Sequence, residues 1–244
     1  MTDDTQGAGI ARMLAHPSHG NMAVALLARR QESLNDIASA IKSSIPDAVV
    51  ECFPADTASP DTLKKAFSDI SAHSSFKSLK LSMAIYSIKH SSKKPFMTET
   101  YEDFTGSLNT YAGGAFVFAQ ESLRRFFADH GEQTLADGAP KKGTLIFTGT
   151  LGALRCNAEF AAYGAGRAAV RQLAQTLARE MSAKGVHVVH TVANGGIRDE
   201  NGEEQKKGVK MSAESVGKTY LWLASQEPEL WTHELDLRPA QEKF

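Results

Sequence analysis

Three residues in the second half of the chain carry groups that together can assist the reduction of a carbonyl by a hydride donor: the hydroxyl of Thr150, the phenol of Tyr163 and the cation of Arg167. Tyr163 and Arg167 are four apart, so on a helix they share one face. A phenol placed there donates a proton to a developing alkoxide. A neighbouring cation favours the charged form of such a phenol and eases proton transfer near neutral pH. A second hydroxyl polarises the carbonyl as its oxygen gains charge. Taken singly, none of the three is diagnostic: a tyrosine in a Gly/Ala-rich helix also reads as core or interface.

A second group lies near the start. Gly7-Ala8-Gly9-Ile10-Ala11-Arg12 has the look of a glycine turn before a helix, where backbone N–H groups and the helix dipole receive a phosphate. Two glycines alone read equally well as a turn without a ligand. About twenty residues on, after an apolar run, stand Arg29 and Arg30 where dinucleotide folds place the residue that reads the adenosine ribose. No acidic residue stands there. Two guanidiniums suit a 2′-phosphate, so NADP (as NADPH) is expected over NAD; the bland reading is a solvated basic pair at a strand end.

The segments that must hold these residues alternate in type. Apolar runs at 22–27, 49–53, 79–86, 143–148, 186–192 and 235–237 read as strands. Helical spacing is seen over 32–43, from Pro60 behind a Ser59 cap, from Thr100 to about 128, over 161–183 and over 212–225. Buried strands alternating with helices predict an α/β fold: one doubly wound parallel sheet, Rossmann-like, as a single domain over residues 1–244. Ligands of such sheets sit beyond the carboxyl ends of the strands, which is where Arg29, Arg30 and Thr150 fall.

Composition narrows the function. With 244 residues, 42% hydrophobic, 23% charged and a net charge of −1, nothing favours a nucleic acid or an anionic membrane as partner. No run approaches a membrane span, and Met-Thr-Asp-Asp opens no signal peptide. Two distant cysteines, Cys52 and Cys156, make neither a disulfide framework nor a thiolate metal site, and a reducing, cytoplasmic setting is expected. His187 and His190, three apart on a strand, face opposite sides and cannot share a metal; no metal site is expected.

Together these residues resemble the short-chain dehydrogenase/reductase family, from about Gly7 to the C-terminus. Thr150, Tyr163 thirteen residues on and Arg167 four further match the spacing of the family's Ser, Tyr and Lys. The helix Ala161-Ala-Tyr-Gly-Ala-Gly-Arg-Ala-Ala-Val170 and the closing Trp231-Thr-His-Glu-Leu-Asp-Leu-Arg-Pro239 also match. The resemblance implies that Thr150, Tyr163 and Arg167 are catalytic. It also implies that Gly7, Gly9, Arg29, Arg30, Asp56 of the Ala55-Asp56-Thr57 turn, Tyr163, Arg167 and Ile197 of Asn194-Gly195-Gly196-Ile197 bind the cofactor. It implies an NADP-dependent carbonyl reductase or alcohol dehydrogenase acting on a small carbonyl or hydroxyl compound, assembled as a homodimer or homotetramer through the helix from Ala161.

The departures define the alternative, a catalytically silent scaffold or binding protein. Only six residues precede Gly7, and Thr2-Asp3-Asp4-Thr5-Gln6 is no strand, so a divergent, N-terminally short member lacking its first core strand is expected. The family's lysine is Arg167, and the place of its relay asparagine falls on Tyr111, with Asn109 two residues early. The divergent enoyl-reductase pattern needs a lysine seven residues after the tyrosine, and Val170 stands there. Arginine keeps the charge but not the compact ammonium. The expectation is weak turnover, raised by Arg167→Lys.

Overall fold

The computed structural model describes residues 5–88, 92–199 and 202–243. The expectation for residues 2–4 lies outside them. The described residues open on helix α1 (Thr5–Ala15) and alternate from there through β1 (Val24–Ala28), α2 (Gln31–Ser44), β2 (Val50–Pro54), α3 (Pro60–Ala72) and β3 (Met83–Tyr86). Then follow α4 (Tyr101–Leu108), a π-helical turn (Asn109–Gly113), α5 (Gly114–His130), β4 (Gly143–Gly149), α6 (Ala161–Met181) and β5 (Val186–Ala193). Short β6 (Ile197–Arg198), α7 (Glu203–Lys206) and β7 (Met211–Ser212) lead to α8 (Ala213–Ser225) and β8 (Glu234–Leu237).

Every strand pairing is parallel. Every residue of β4 and β5 is buried, as expected for central strands covered by helices on both faces. The strands fall into two main pieces, β1–β2 and β3–β4–β5–β8, and among the described residues no strand links β1 to β3. One apolar cluster joins the pieces. Val24 and Val50 from the first and Ile146 and Val189 from the second pack beneath Ile10 and Leu14 of α1 and Val216 and Tyr220 of α8. Burying each such aliphatic side chain is worth about 1.5–3 kcal/mol. Tyr220 also ties the two central strands, its hydroxyl lying 2.8 Å from both Thr148 Oγ1 and Thr191 Oγ1. On the opposite face, Leu145, Phe147 and Val188 pack under Phe126 of α5 and Val170 and Ala174 of α6.

The start of the chain corrects the sequence reading. Gly7 and Gly9 form no phosphate turn; they lie inside α1. From residue 9 onward the backbone N–H groups are turned into helix hydrogen bonds. Gly9 serves packing instead: a Cβ there would stand 2.2 Å from Cβ of Ala213, so its absence is what lets α1 approach α8. An isolated Gly-x-Gly cannot show which of these it is, because close helix approach and phosphate approach both ask for a missing side chain.

Two further local readings change. Ser59 stands at the N-cap of α3, but its hydroxyl makes no capping bond. The turn is held by Thr62, whose hydroxyl accepts from Asp56 N and lies 3.0 Å from Asp56 O. The helical stretch expected from Thr100 to about 128 runs continuously from Tyr101 to His130, but it passes through the π-helical turn. Its start is as expected: Thr100 Oγ1 accepts from Asp103 N, and Asp103 Oδ2 accepts from Thr100 N.

His187 and His190 do face opposite sides of β5. His187 stacks on Trp231 with ring centroids 5.1 Å apart, and its Nε2 lies 2.8 Å from Thr232 O. Burial, with a smaller push from Lys141 and His233, holds its pKa down to about 4. The folded protein therefore refuses a proton that the unfolded chain accepts near pH 6.5. The stability this represents is present above pH 6.5 and is lost as the pH falls toward 4. At pH 5 the loss from this one group is about 2 kcal/mol. His190, also held down by burial, adds in the same direction. Urea midpoints at pH 7 and pH 5 check this: His187→Phe, which keeps an aromatic ring on Trp231, should lose less stability between the two pH values than the native chain.

Candidate active site

Because the strands run parallel, their carboxyl ends share one edge, and the expected residues gather in the loops that follow. Arg29 and Arg30 come directly after β1, with Arg30 at the N-cap of α2; both are exposed, and among the described residues neither is in an ion pair. Asp56 follows β2 and is half-buried; its Oδ1 accepts from Ala58 N at 3.0 Å, closing an Asx turn. Ile197 lies in β6 and packs against the core cluster beneath α1 and α8. Asn194, at the end of β5, accepts from Leu151 N at 3.2 Å and so ties that strand to the turn after β4.

That turn opens with Thr150, which caps a short 3-10 helix by accepting from Gly152 N at 3.3 Å. Thr150 Oγ1 and Tyr163 Oη are 2.6 Å apart. Gly152 makes the approach possible, since a Cβ there would stand 2.4 Å from the Tyr163 ring. With its oxygen already accepting from Gly152, Thr150 has its own hydrogen to aim at Tyr163 or at a substrate oxygen. The two hydroxyls thus converge on one point, as carbonyl polarisation requires.

Arg167, one turn along α6 from Tyr163, is only 7% exposed. Its Nη1 donates to Thr148 O at 3.2 Å, and its Nη2 donates to Ile88 O and to Tyr111 Oη, both at 2.9 Å. The guanidinium lies 4.1 Å from the Tyr111 ring centroid and 5.4 Å from that of Tyr163. Among the described residues no carboxylate pairs with it. A planar fork meets three separated acceptors and two ring faces; a single ammonium cannot. Its Nε is buried without a hydrogen-bond partner. Sequence spacing finds Arg167 and Tyr163 but none of Tyr111, Ile88 O or Thr148 O, which arrive from distant segments. The only signal for Tyr111 was its place where the family has asparagine.

At its two ends a nicotinamide dinucleotide fits these residues. Arg29 and Arg30 are exposed guanidiniums of the kind that holds a ribose phosphate, and at the other end Thr150 and Tyr163 present two hydroxyls 2.6 Å apart. For its middle, Gly7 and Gly9 lie within α1 and not in the expected turn. The described residues contain no group of three or more acidic, histidine or cysteine side chains placed to hold a metal. No helix among them is long and apolar enough to cross a membrane.

A short-chain reductase family model, described as enoyl-(acyl carrier protein) reductase, matches residues 5–233. The chain belongs to the short-chain dehydrogenase/reductase family. A search of the curated proteins finds no match. Solved structures of this family share the fold throughout. A short-chain dehydrogenase from Rhodopseudomonas palustris superposes with a TM-score of 0.76 at 24% identity, covering 97% of this chain and 94% of its own. A short-chain dehydrogenase from Burkholderia cenocepacia in complex with NADP gives 0.75 at 19%, covering 96% and 92%. L-Sorbose reductase from Gluconobacter frateurii, complexed with NADPH and L-sorbose, gives 0.77 at 16%, covering 96% and 90%. Within the short-chain dehydrogenase/reductase family this member has Val170, a core residue, where the divergent enoyl-reductase pattern needs lysine.

Proposed function

We propose that the chain is an NADP-dependent reductase of small carbonyl compounds, or the corresponding alcohol dehydrogenase, with Thr150, Tyr163 and Arg167 as its catalytic residues. The observation that carries this reading is the 2.6 Å contact of Thr150 Oγ1 with Tyr163 Oη beside the buried Arg167 guanidinium. Bound NADPH would supply a hydride to the carbonyl carbon. Tyr163 donates its proton to the oxygen that becomes the alcohol. Thr150 donates a hydrogen bond to the same oxygen. Arg167 cannot give up a proton, so it serves as a fixed charge beside the phenol and not as a relay. Cofactor contacts are assigned to Arg29, Arg30, Asp56, Tyr163, Arg167 and Ile197, and to the N–H of Gly7, which lies in the first turn of α1 and makes no intrahelical bond; Gly9 drops out of that set.

Arg29 and Arg30 give the cofactor preference. A charge-assisted bond to a phosphate is worth about 1.5–3 kcal/mol. NADPH should therefore bind at least tenfold more tightly than NADH, and Arg30→Asp should abolish or reverse the preference in a fluorescence titration. Equal binding of both nucleotides by the native chain would remove these arginines from the site.

Assembly as a homodimer or homotetramer belongs to the same reading. The outer face of α6 carries the small residues Gly164, Ala165 and Ala168 beside a shallow groove lined by Leu154, Cys156 and Phe160. Small residues let two copies of a helix approach closely about a two-fold axis. Sedimentation at micromolar concentration should show a dimer or larger; a monomer would count against it.

One observation favours the alternative of a catalytically silent scaffold, namely that Gly7 and Gly9 lie within α1 and not in a turn ahead of it. Turnover of NADPH with a panel of quinones, diketones and keto-esters separates the two readings.

A further inference from the structure

Arg167 is in contact with a side chain, Tyr111, that stands where the family has its relay asparagine. Its Nη2 donates to Tyr111 Oη at 2.9 Å, and its guanidinium lies closer to the Tyr111 ring, at 4.1 Å, than to the ring of Tyr163, at 5.4 Å. The Tyr111 ring also meets the Tyr163 ring edge-on, with centroids 6.1 Å apart and planes at 86°. One ring therefore touches both the cation and the phenol that the cation serves.

Tyr111 is itself held from several sides. It is 1% exposed and lies in the π-helical turn Asn109–Gly113, the kind of local departure from α geometry that recurs at functional sites. The Tyr86 hydroxyl donates to Thr110 O at 2.6 Å and pins that turn to the end of β3. Gly166 of α6 makes room for the ring: a Cβ there would stand 2.9 Å from Tyr111 Cδ2. Ser107, one turn earlier, donates to Ala162 O at 3.0 Å and fixes the spacing of α4 from α6. The ring is thus set against α6 at the level of Arg167. Among the described residues no carboxylate pairs with Arg167, so neutral acceptors and ring faces alone orient it. Such contacts are short-ranged, and a guanidinium that loses one of them is free to turn away from Tyr163.

We propose that Tyr111 is the positioning residue that sets Arg167 against Tyr163, a role that rests on the reading of Tyr163 as the proton donor. The test uses the full chain labelled with 15N-arginine, without cofactor, together with Tyr111→Phe, Tyr111→Leu and, for assignment, Arg167→Lys. In the native chain the Arg167 guanidinium protons should be shifted upfield by the two rings and exchange slowly. Tyr111→Phe, which keeps the ring and its packing, should retain the shift and exchange faster. Tyr111→Leu should lose most of the shift.

With NADPH and a diketone, Tyr111→Phe should lower kcat about tenfold, the effect of one charge-assisted hydrogen bond, while KM stays within about twofold. Its pH profile of kcat should also move, which a purely structural role would not cause. An Arg167 signal that is unshifted in the native chain, or that exchanges as slowly in Tyr111→Phe as in the native chain, overturns the proposal whether or not the chain turns over. So does a shifted signal accompanied by an unchanged kcat and pH profile. A native chain without turnover but with the expected Arg167 signals would sink the reductase reading and leave the placement of Arg167 by Tyr111 standing.

Discussion

Phenylalanine in place of Tyr163 should lower NADPH-dependent carbonyl reduction by about 10²–10⁴-fold, the usual worth of a positioned general acid. The ring of Tyr163 is packed by Gly152, by Phe160 in a T-shaped contact with centroids 5.6 Å apart, and by Tyr111. Phenylalanine keeps all of these. What it removes is the oxygen 2.6 Å from Thr150, and Thr150 retains its bond from Gly152 N. A single partly exposed hydroxyl pair contributes about 1 kcal/mol to stability, so the melting temperature should move by only a few degrees. The variant should stay folded and lose the rate. Steady-state turnover measured beside a thermal melt checks it. A rate within about threefold of native would take Tyr163 out of the chemistry.

Lysine in place of Arg167 should cost both rate and stability. The resemblance alone predicts the opposite, since lysine is the family's residue there. The contacts decide against that expectation. The guanidinium reaches Thr148 O with one nitrogen and both Ile88 O and Tyr111 Oη with another, while stacking on two rings. An ammonium is a compact point donor and cannot span these acceptors. Losing one or two bonds to a buried charge costs about 1.5–3 kcal/mol each. The variant should therefore unfold at a lower denaturant midpoint, and turnover should fall about ten- to a hundredfold as the charge leaves its place beside Tyr163. A lysine variant that is faster than native and equally stable would mean that the three acceptors are incidental to the site.

What the sequence shows and what it conceals follow from the range of the interactions. The strands β4 and β5 and the helix α6 were legible because burial on both faces gives an unbroken apolar run, and burial on one face gives a stripe at Val170, Ala174 and Met181. Tyr163 and Arg167 were legible because four residues make one helical turn. The role of Gly9 was not, because its neighbour Ala213 lies about two hundred residues away and a missing Cβ serves either purpose. The π-helical turn was hidden for the same reason: nothing in Asn109–Gly113 distinguishes a π turn from an α turn, and only the fit of Tyr111 against Gly166 shows what the turn places.

Fluorescence titration of the purified native chain with NADPH, run beside NADH, tests the central claim most directly, because every assigned role depends on a nicotinamide cofactor reaching Tyr163. The account predicts saturable binding with NADPH at least tenfold tighter than NADH, the difference that Arg29 and Arg30 should make at the end of β1. Binding of neither nucleotide at millimolar concentration would contradict it, and would mark the helical Gly7–Gly9 segment as the point where this chain has left its family's chemistry.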